Sequence, residues 1–433
     1  MNSENSPRAD VSLQSARFRT ASLLGWIICA ALGAGISLRA LLRAKYSGAD
    51  SWSPMSHALD MVHTGGSGML YRALFFRDHI KFQYPPGSLF ILELARHVGL
   101  TTVPQYNFIN ACILIVNAAF FSVFVVRIMG SLHWRSLQLP LGPLAYIVAL
   151  RFYPNNLAFE VGQVQLILGL LFLLACFATL NNRQMLAGSL LSIAAITKPQ
   201  FVPFALLAAC RRNWRFVCGF VFLLSALMIL SILMYGWQNN LAYLDVLSFL
   251  SRHGEWQHLN QSVGGILNRL FYHGPSLDRD PKGLIAQSAF PPYSPFVYYP
   301  TLLATVILTA IPFLLKQRSN DKVSQLAAFC LAGLAFTMAS PIAWVHHYNV
   351  LLPAYAVTWR AILDRWDGNL ARATLLLLAI SFVLVGYPIV AANASTDPAH
   401  NLVQSHVFWG ACLLLGLLIA INIARPRRLP LAI

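Results

Sequence analysis

The sequence predicts an all-α protein that crosses a membrane many times, and three observations lead there. Of its 433 residues, 57% are hydrophobic and only 11% are charged, against about 25% charged residues in soluble globular domains. The apolar residues come in long runs, and roughly 20 such residues cross a bilayer as one helix. The alternating apolar and polar strands that an outer-membrane barrel needs are missing from the pattern. A water-soluble enzyme, a disordered chain and a coiled coil are therefore excluded.

The apolar runs predict twelve spans within one membrane domain that covers residues 1–433. Residues 1–20 precede the first span as a disordered cytoplasmic tail, and long outer loops lie at 45–103 and 237–296. In the first loop, residues 88–98 include Glu93 and Arg96, so we expect a helix there that lies at the membrane interface. The predicted spans are 21–42, 104–126, 137–150, 158–180, 184–197, 199–210, 214–236, 297–316, 323–341, 345–363, 370–390 and 403–424.

The distribution of charge orients these spans. On the side of the two termini lie 18 of the 31 Lys and Arg residues, whereas the short loops of the other side hold only Arg151 and Lys198. Cytoplasmic loops carry the excess of Lys and Arg, so both termini are predicted to face the cytoplasm. We expect a bacterial inner-membrane protein surrounded by the lipid bilayer. The net charge of +16 then reflects topology, and no nucleic-acid partner is expected.

Residues 184–210 allow two interpretations, because each predicted helix has only about 13 residues, short of a full span. One kinked span would fit the length, but it would place all later cations on the outer side, against the positive-inside rule. Two short helices that meet at Lys198 and Pro199 are therefore preferred. Broken helices of this kind often mark a binding site in membrane proteins.

Polar residues that the fold does not need gather on the outer side. Taken singly, each has an ordinary explanation, such as a solvated loop carboxylate, a snorkelling lysine or a hydrogen bond between helices. Taken together on one face, they indicate a site that opens outward. The set comprises Asp50, Tyr84, Arg151, Glu160, Gln163, Lys198, Gln200, Asn260, Gln261, His346 and His347.

This set of residue types suits the displacement of a phosphate leaving group. Cations stabilise the charge that develops on the leaving oxygen, and a carboxylate accepts the proton of an attacking hydroxyl. The sequence has neither GxxxxGK[ST] nor GxGxxG, so an activated donor outside the membrane would be lipid-linked. The seven Cys lack zinc spacing, and adjacent His residues point apart on a helix, so no metal is expected. Asp278 and Asp280 match the short DxD motif that can bind a metal and a nucleotide sugar. A single match of three residues is weak, so we favour an ordinary ion pair with a nearby cation.

A longer set of motifs resembles glycosyltransferase family 87, the polyprenyl-phosphate-mannose-dependent α-1,2-mannosyltransferases. The order and approximate spacing of the motifs are similar from Asp50 to about Pro353. The resemblance implies a GT-C fold. The motifs are Asp50, Tyr84-Pro85-Pro86, Gly162-Gln163, Lys198-Pro199, Asn260-Gln261-Ser262 and the run from Ser340-Pro341 to His346-His347.

The resemblance also implies roles for individual residues. Asp50 would be the general base, and Lys198, His346 and His347 would contact the donor phosphate, to which we add Arg151 as a further cation. The reaction would be inverting and independent of metal or other cofactor, with a polyprenyl-phosphate sugar as donor and a glycolipid or glycan as acceptor. The remaining candidates are predicted to bind substrate: Trp52, Tyr84, Glu160, Gln163, Gln200, Asn260 and Gln261.

Three alternatives stay open at this stage, of which a non-catalytic subunit of a membrane complex is the least favoured, because intramembrane charges without a function are rare. The sugar is expected to be mannose, but arabinose or another sugar on the same carrier fits the same residues. A lipid or sugar transporter is a different class, and alternating access would need polar residues in both halves of the membrane.

Overall fold

Every regular element of the structure is helical, which confirms the all-α prediction. The computed structural model describes residues 7–65, 68–130, 140–271, 290–316, 319, 321–389 and 400–424, with side chains from residue 23. Within these ranges there is no strand, and one isolated bridge joins Asn260 to Trp344. The DxD match at Asp278 and Asp280 lies outside the described residues.

The described part of the first half of the chain, which omits 1–6, 66–67 and 131–139, forms ten helices, several of them short. Short 3₁₀ segments at Ala44–Tyr46, Pro86–Leu89 and Pro199–Phe201 and a π-helical turn at Arg72–Arg77 connect some of them. The helices are α1 (Pro7–Arg43), α2 (Trp52–His63), α3 (Phe90–His97), α4 (Val103–Met129), α5 (Leu141–Arg151), α6 (Tyr153–Glu160), α7 (Gln165–Leu180), α8 (Gln184–Thr197), α9 (Pro203–Cys210) and α10 (Trp214–Tyr235).

The described part of the second half adds eight helices. A 3₁₀ turn at Val345–Val350 leads directly into one of them. They are α11 (Trp237–His253), α12 (Val263–Phe271), α13 (Pro295–Leu314), α14 (Lys322–Met338), α15 (Leu351–Arg365), α16 (Gly368–Gly386), α17 (Asn401–Gln404) and α18 (His406–Ile423).

Among the described residues, six helices are long and apolar enough to cross a membrane, which makes the chain a multi-pass membrane protein. The shorter apolar helices are α5, α7, the two segments on either side of Lys198, and α14. The predicted span at 345–363 falls outside both groups, because α15 carries the ion pair Arg360–Asp364 (2.9 Å) and Arg365. The six long segments are Leu23–Tyr46, Val103–Met129, Trp214–Tyr235, Pro295–Leu314, Gly368–Gly386 and His406–Ile423.

The structure corrects three details of the predicted layout. Helix α1 begins at Pro7 instead of residue 21, since proline suits a first helical position and the residues after it favour helix. The predicted span 158–180 is interrupted between α6 and α7, where Gly162 adopts a positive φ of 70°. The second outer loop, 237–296, contains α11 and α12, because its apolar residues recur with helical spacing.

The predicted division at Lys198 is confirmed as two helices. Helix α8 ends at Thr197 and Lys198 has extended backbone angles, φ −139° and ψ 109°. A residue before proline is driven out of the helical region by the proline ring, so Pro199 explains the end of α8. Only three residues of 3₁₀ turn and Val202 separate Lys198 from α9.

A helix, α3, forms within the segment predicted to lie at the membrane interface, and its charges pair with a neighbouring helix. Arg96 donates to Asp60 of α2 at 2.6 Å, and Glu93 lies 2.9 Å from the ring of His63. Both pairs tie α3 to α2, and the position of α3 at the interface stays a prediction. Aromatic residues such as Tyr71 and Phe82 of the first loop pack with Tyr106 of α4 in a hydrophobic core of their own.

Candidate active site

One cavity of about 220 Å³ brings together the residues on which the sequence argument rested. Its lining comes from the first outer loop, the break between α6 and α7, the break between α8 and α9, helix α11 and residues 340–347. Its volume lies below the roughly 300–1,000 Å³ of pockets that enclose drug-sized ligands, so it suits one small polar group. Seven of the predicted site residues line it: Asp50, Tyr84, Gln163, Lys198, Gln200, His346 and His347.

Backbone hydrogen bonds hold the segment that carries Asp50. Gly48 donates to the carbonyl of Glu160 (2.7 Å), and Asp50 donates to the carbonyl of Val161 (2.9 Å). A Cβ atom on Gly162 would collide with the carbonyl oxygen of Gly48. A glycine is therefore needed at this position for its close approach and for its positive φ.

The side-chain amide of Gln163 orients the Asp50 carboxylate. Its Oε1 accepts hydrogen bonds from the hydroxyls of Ser51 (2.7 Å) and Tyr84 (3.0 Å). Its Nε2 donates to Oδ2 of Asp50. Because two donors occupy the amide oxygen, the amide can present only its NH₂ group to the carboxylate. The Asp50 carboxylate is therefore held in one direction within the cavity.

The surroundings of Asp50 make it a stronger base than a solvated carboxylate. Burial raises its pKa, and the hydrogen bond from Gln163 and the positive charges of Lys81 and Lys198 offset only part of this rise. The net pKa lies above its ordinary value. A carboxylate is most effective as a general base when its pKa approaches the working pH, so this environment suits proton removal.

On another wall, Lys198 lies between an amide and an imidazole. Its Nζ donates to Oε1 of Gln165 (2.8 Å) and to Nε2 of His347. In its charged form Lys198 has no acceptor, so it pairs with an unprotonated Nε2 of His347, and the proton of that neutral ring then lies on Nδ1. Asn349 in turn exchanges two hydrogen bonds with Gln165, which fixes the amide that receives Lys198.

The two imidazoles leave polar atoms without partners. Within the described residues, Nε2 of His346 and Nδ1 of His347 are buried and have no hydrogen-bond partner. Their rings are nearly perpendicular, with centroids 4.8 Å apart. Buried polar atoms are rarely left unpaired, and a ligand with several acceptors would satisfy both.

Metal ligands do not cluster at this position. In the described ranges, no group of three or more His, Cys, Asp or Glu side chains is placed to hold an ion. The expectation that no metal or other cofactor is needed stays a prediction.

Tyr84 adjoins both Lys198 and the amide that holds the carboxylate. The Nζ atom of Lys198 lies 5.7 Å from the centroid of the Tyr84 ring. At its other end, the hydroxyl bonds to Gln163, which holds Asp50. The base and the lysine therefore line one cavity, and each adjoins Tyr84 directly or through Gln163.

Three predicted site residues lie outside the cavity lining in the first half of the chain. Arg151 is exposed at the end of α5, and Glu160 is exposed at the end of α6. Trp52 is buried, and its Nε1 donates to Oδ1 of Asn107 at 3.0 Å. That bond holds α2 against α4, so the structure places Trp52 in the support of the Asp50 segment.

Asn260 and Gln261 also lie outside the lining, and both support the segment that carries the histidines. Oδ1 of Asn260 accepts from the backbone of Ala343 (3.0 Å), and the backbone of Gln261 donates to the carbonyl of the same residue (2.8 Å). Oε1 of Gln261 accepts from the backbone of Phe408. The two bonds to Ala343 hold the segment that leads to His346, and the bond to Phe408 ties Gln261 to α18.

The cavity includes a cation that the sequence argument did not single out. Lys81 lines it and forms an ion pair with Glu255 at 2.8 Å, whose side chain is fully buried. The pair joins the first outer loop to the second. Lys81 stands three residues before Tyr84, a position that could have drawn attention to it. Nothing in the local sequence distinguishes Glu255 from other loop carboxylates.

Comparison with known proteins identifies the family of the chain. Residues 82–341 match the model of glycosyltransferase family 87, which is more than half of the chain. The chain belongs to glycosyltransferase family 87. The matched range contains Tyr84, Gln163 and Lys198, whereas Asp50 precedes it and His346 and His347 follow it.

One curated relative is similar to this family 87 member over part of its length. It is the polyprenol-phosphate-mannose-dependent alpha-(1-2)-phosphatidylinositol pentamannoside mannosyltransferase of Mycobacterium tuberculosis, which is 26% identical over 209 residues. The match covers 48% of this chain and 42% of the relative. The chain thus spans less than half of the relative's length in this comparison.

Proposed function

We propose that this protein transfers mannose from a polyprenyl-phosphate donor to a hydroxyl of a glycolipid or glycan, with inversion at the anomeric carbon. The site would open on the outer face of a bacterial inner membrane, with both termini cytoplasmic. Membership of family 87 supports sugar transfer, and the name of the mycobacterial relative supports the polyprenol-phosphate-mannose donor and the α-1,2 linkage.

One observation carries this proposal: a carboxylate and a cationic group face the same small cavity from different walls. Asp50 enters from the first outer loop, whereas Lys198 and His347 enter from the break after α8 and the turn before α15. Inverting transfer needs a base beside the incoming hydroxyl and a positive group beside the departing phosphate. Tyr84 adjoins both groups, Lys198 through its ring and Asp50 through Gln163.

The residues divide the chemical step between them. Asp50 takes the proton of the acceptor hydroxyl as its oxygen forms a bond to the anomeric carbon. The bond between that carbon and the phosphate oxygen breaks, and polyprenyl phosphate leaves with the electron pair. Lys198 stabilises the negative charge on the leaving oxygen. The unpaired ring nitrogens of His346 and His347 form hydrogen bonds with the phosphate and thereby orient it.

A transfer assay with purified protein tests the proposal. Polyprenyl-phosphate mannose, glucose and arabinose are offered as donors with a glycolipid acceptor, and the product bond is identified by mass spectrometry. Asp50→Asn should lower the rate about 10²–10⁴-fold, the usual contribution of a general base. Asp245→Asn, an exposed carboxylate of the second outer loop, is the matched control. Undiminished transfer by Asp50→Asn would remove it as base, and transport without a new glycosidic bond would overturn the proposal.

The stability of the same variant separates lost chemistry from lost folding. Because burial raises the pKa of Asp50, the folded state binds the proton more tightly than the unfolded state. The contribution of Asp50 to the free energy of unfolding is then lost as the pH rises through its unfolded and folded pKa values. At neutral pH the ionised, buried carboxylate therefore destabilises the folded state. Asp50→Asn should therefore unfold at the same or a higher temperature than the wild type at pH 7.

A further inference from the structure

A second cavity of about 570 Å³ lies at the opposite ends of the helices that build the first. Helix α8 begins at Gln184 in the second cavity and ends at Thr197 in the first. Helix α7 likewise runs from Gln165, which binds Lys198, to Thr179 in the second cavity. At about 1.5 Å per helical residue, the two cavities are roughly 20 Å apart along α8.

The charged residues of the second cavity are all cations. Arg211 and Arg215 line it, and none of its twelve lining residues is acidic. Nη2 of Arg211 donates to the carbonyl of Pro312 (3.0 Å), its one hydrogen bond within the described part of the chain. A guanidinium has five N–H donors, so this bond fixes the group while other donors remain for a ligand. Arg215 is exposed at the rim.

Three helices begin at this cavity. Gln184 is the first residue of α8, Asn213 caps α10 by accepting from the backbone of Phe216, and Gln325 lies in the first turn of α14. The first turn of a helix carries a partial positive charge and unpaired N–H groups. The three helix starts add to the positive potential of the two arginines.

A buried hydroxyl in the lining lacks a partner. Oγ1 of Thr179 is inaccessible, the residue is 5% exposed, and no described group forms a hydrogen bond with it. Leaving a buried polar atom unpaired is unfavourable. A ligand oxygen in the cavity would pair with it.

The remaining wall is apolar. Phe204, Leu207 and Phe329 line the cavity beside the polar groups. The positive-inside rule places Arg211 and Arg215 on the cytoplasmic side, and basic pockets between helices on that side suit lipid headgroups. We propose that this cavity binds the phosphate headgroup of an anionic membrane lipid in the leaflet opposite the catalytic cavity, with its acyl chain against the apolar wall.

Binding of a fluorescent phosphatidylglycerol to the full-length protein in detergent tests this proposal. It is measured without sugar transfer, so the result does not depend on the proposed function. Arg215→Gln should weaken binding about tenfold, as expected for loss of a charged hydrogen bond. Arg372→Gln is the matched control, because Arg372 is exposed, predicted to lie on the same side and absent from the lining. Its affinity should stay within about twofold of the wild type, because Arg372 does not line the cavity.

Thr179→Val gives a readout that a merely structural role would not produce. It removes an unpaired hydroxyl at nearly constant volume, so the unfolding temperature without lipid should stay the same or rise. The affinity for phosphatidylglycerol should nevertheless fall about threefold to tenfold, because the ligand loses one hydrogen bond.

Three results would overturn the assignment. They are equal affinity for phosphatidylcholine, unchanged affinity in both Arg215→Gln and Thr179→Val, and full competition by inorganic phosphate at the concentration of the lipid. The third would identify a free anion as the ligand in place of a lipid.

Discussion

Gln163→Met should move the acidic limb of the pH–rate profile upward. Methionine keeps the length of the side chain but loses the Nε2 donor that Gln163 directs at Asp50. That hydrogen bond is the largest of the influences that lower the pKa of Asp50, ahead of Lys81 and Lys198. Without it, burial dominates further and the pKa of the carboxylate rises.

The size of the shift follows from the bond that is lost. A hydrogen bond to a charged group contributes about 1.5–3 kcal/mol, and one pKa unit corresponds to about 1.4 kcal/mol. The acidic limb should therefore move up by about one to two pH units. Transfer should be recovered at higher pH, where Asp50 ionises again, because the base itself is unchanged.

Initial rates of mannose transfer at saturating donor, measured across pH, give the limb directly. Gln200→Met is the matched control, because Gln200 lines the same cavity and has no recorded hydrogen bond to Asp50 within the described residues. Gln163→Glu should shift the limb at least as far, since two neighbouring carboxylates cannot both ionise easily. Coincident acidic limbs for Gln163→Met and the wild type would refute the role of Asp50 as the titrating base.

Three further variants test other parts of the molecule. Lys198→Met should lower the transfer rate about 10²-fold, and an undiminished rate would exclude Lys198 from the phosphate site. Lys81→Met leaves the buried Glu255 without its ion-pair partner and should lower the free energy of unfolding by about 3 kcal/mol. Adding Glu255→Gln to this variant should restore part of the lost unfolding temperature. An unfolding temperature that does not rise in the double variant would mean that the two residues are not coupled. Arg269, buried with four hydrogen bonds, joins the second outer loop to α17. Arg269→Met should lower the unfolding temperature, whereas the exposed Arg252→Met should not, and equal effects would contradict this.

The local features of the site could be predicted because proline and glycine act within a few residues. Pro199 ends α8 at Lys198 through the restriction that it places on the residue before it. Gly162 interrupts the predicted span 158–180 in the same local way, although the long apolar run around it indicated one continuous helix. Composition and hydropathy likewise predicted the helical class, since a bilayer leaves few other solutions.

The supporting contacts could not be predicted, because they join residues far apart in the chain. The ion pair of Lys81 with Glu255 and the hydrogen bond of Lys198 with Gln165 have no signature in either local sequence. The same limit explains why Asn260 and Gln261 were predicted to bind substrate. A polar motif in a loop indicates an important position, but only tertiary structure shows that the side chain of Asn260 and the backbone of Gln261 hold Ala343, whereas the side chain of Gln261 bonds to the backbone of Gln404 and Phe408.

The site forms at two helix breaks and one 3₁₀ turn, and this explains both its position and its polarity. The breaks at 161–164 and at 198–202 and the turn at Val345–Val350 contribute Gln163, Lys198 and His347 to one cavity. A break in a membrane helix exposes backbone groups that lipid cannot pair, so it is tolerated where the backbone is buried in protein or lines a polar cavity. Once these segments adjoin, a buried lysine and two histidines can share the same polar space. The breaks that shorten the helices therefore create the polar environment that the proposed phosphate site needs.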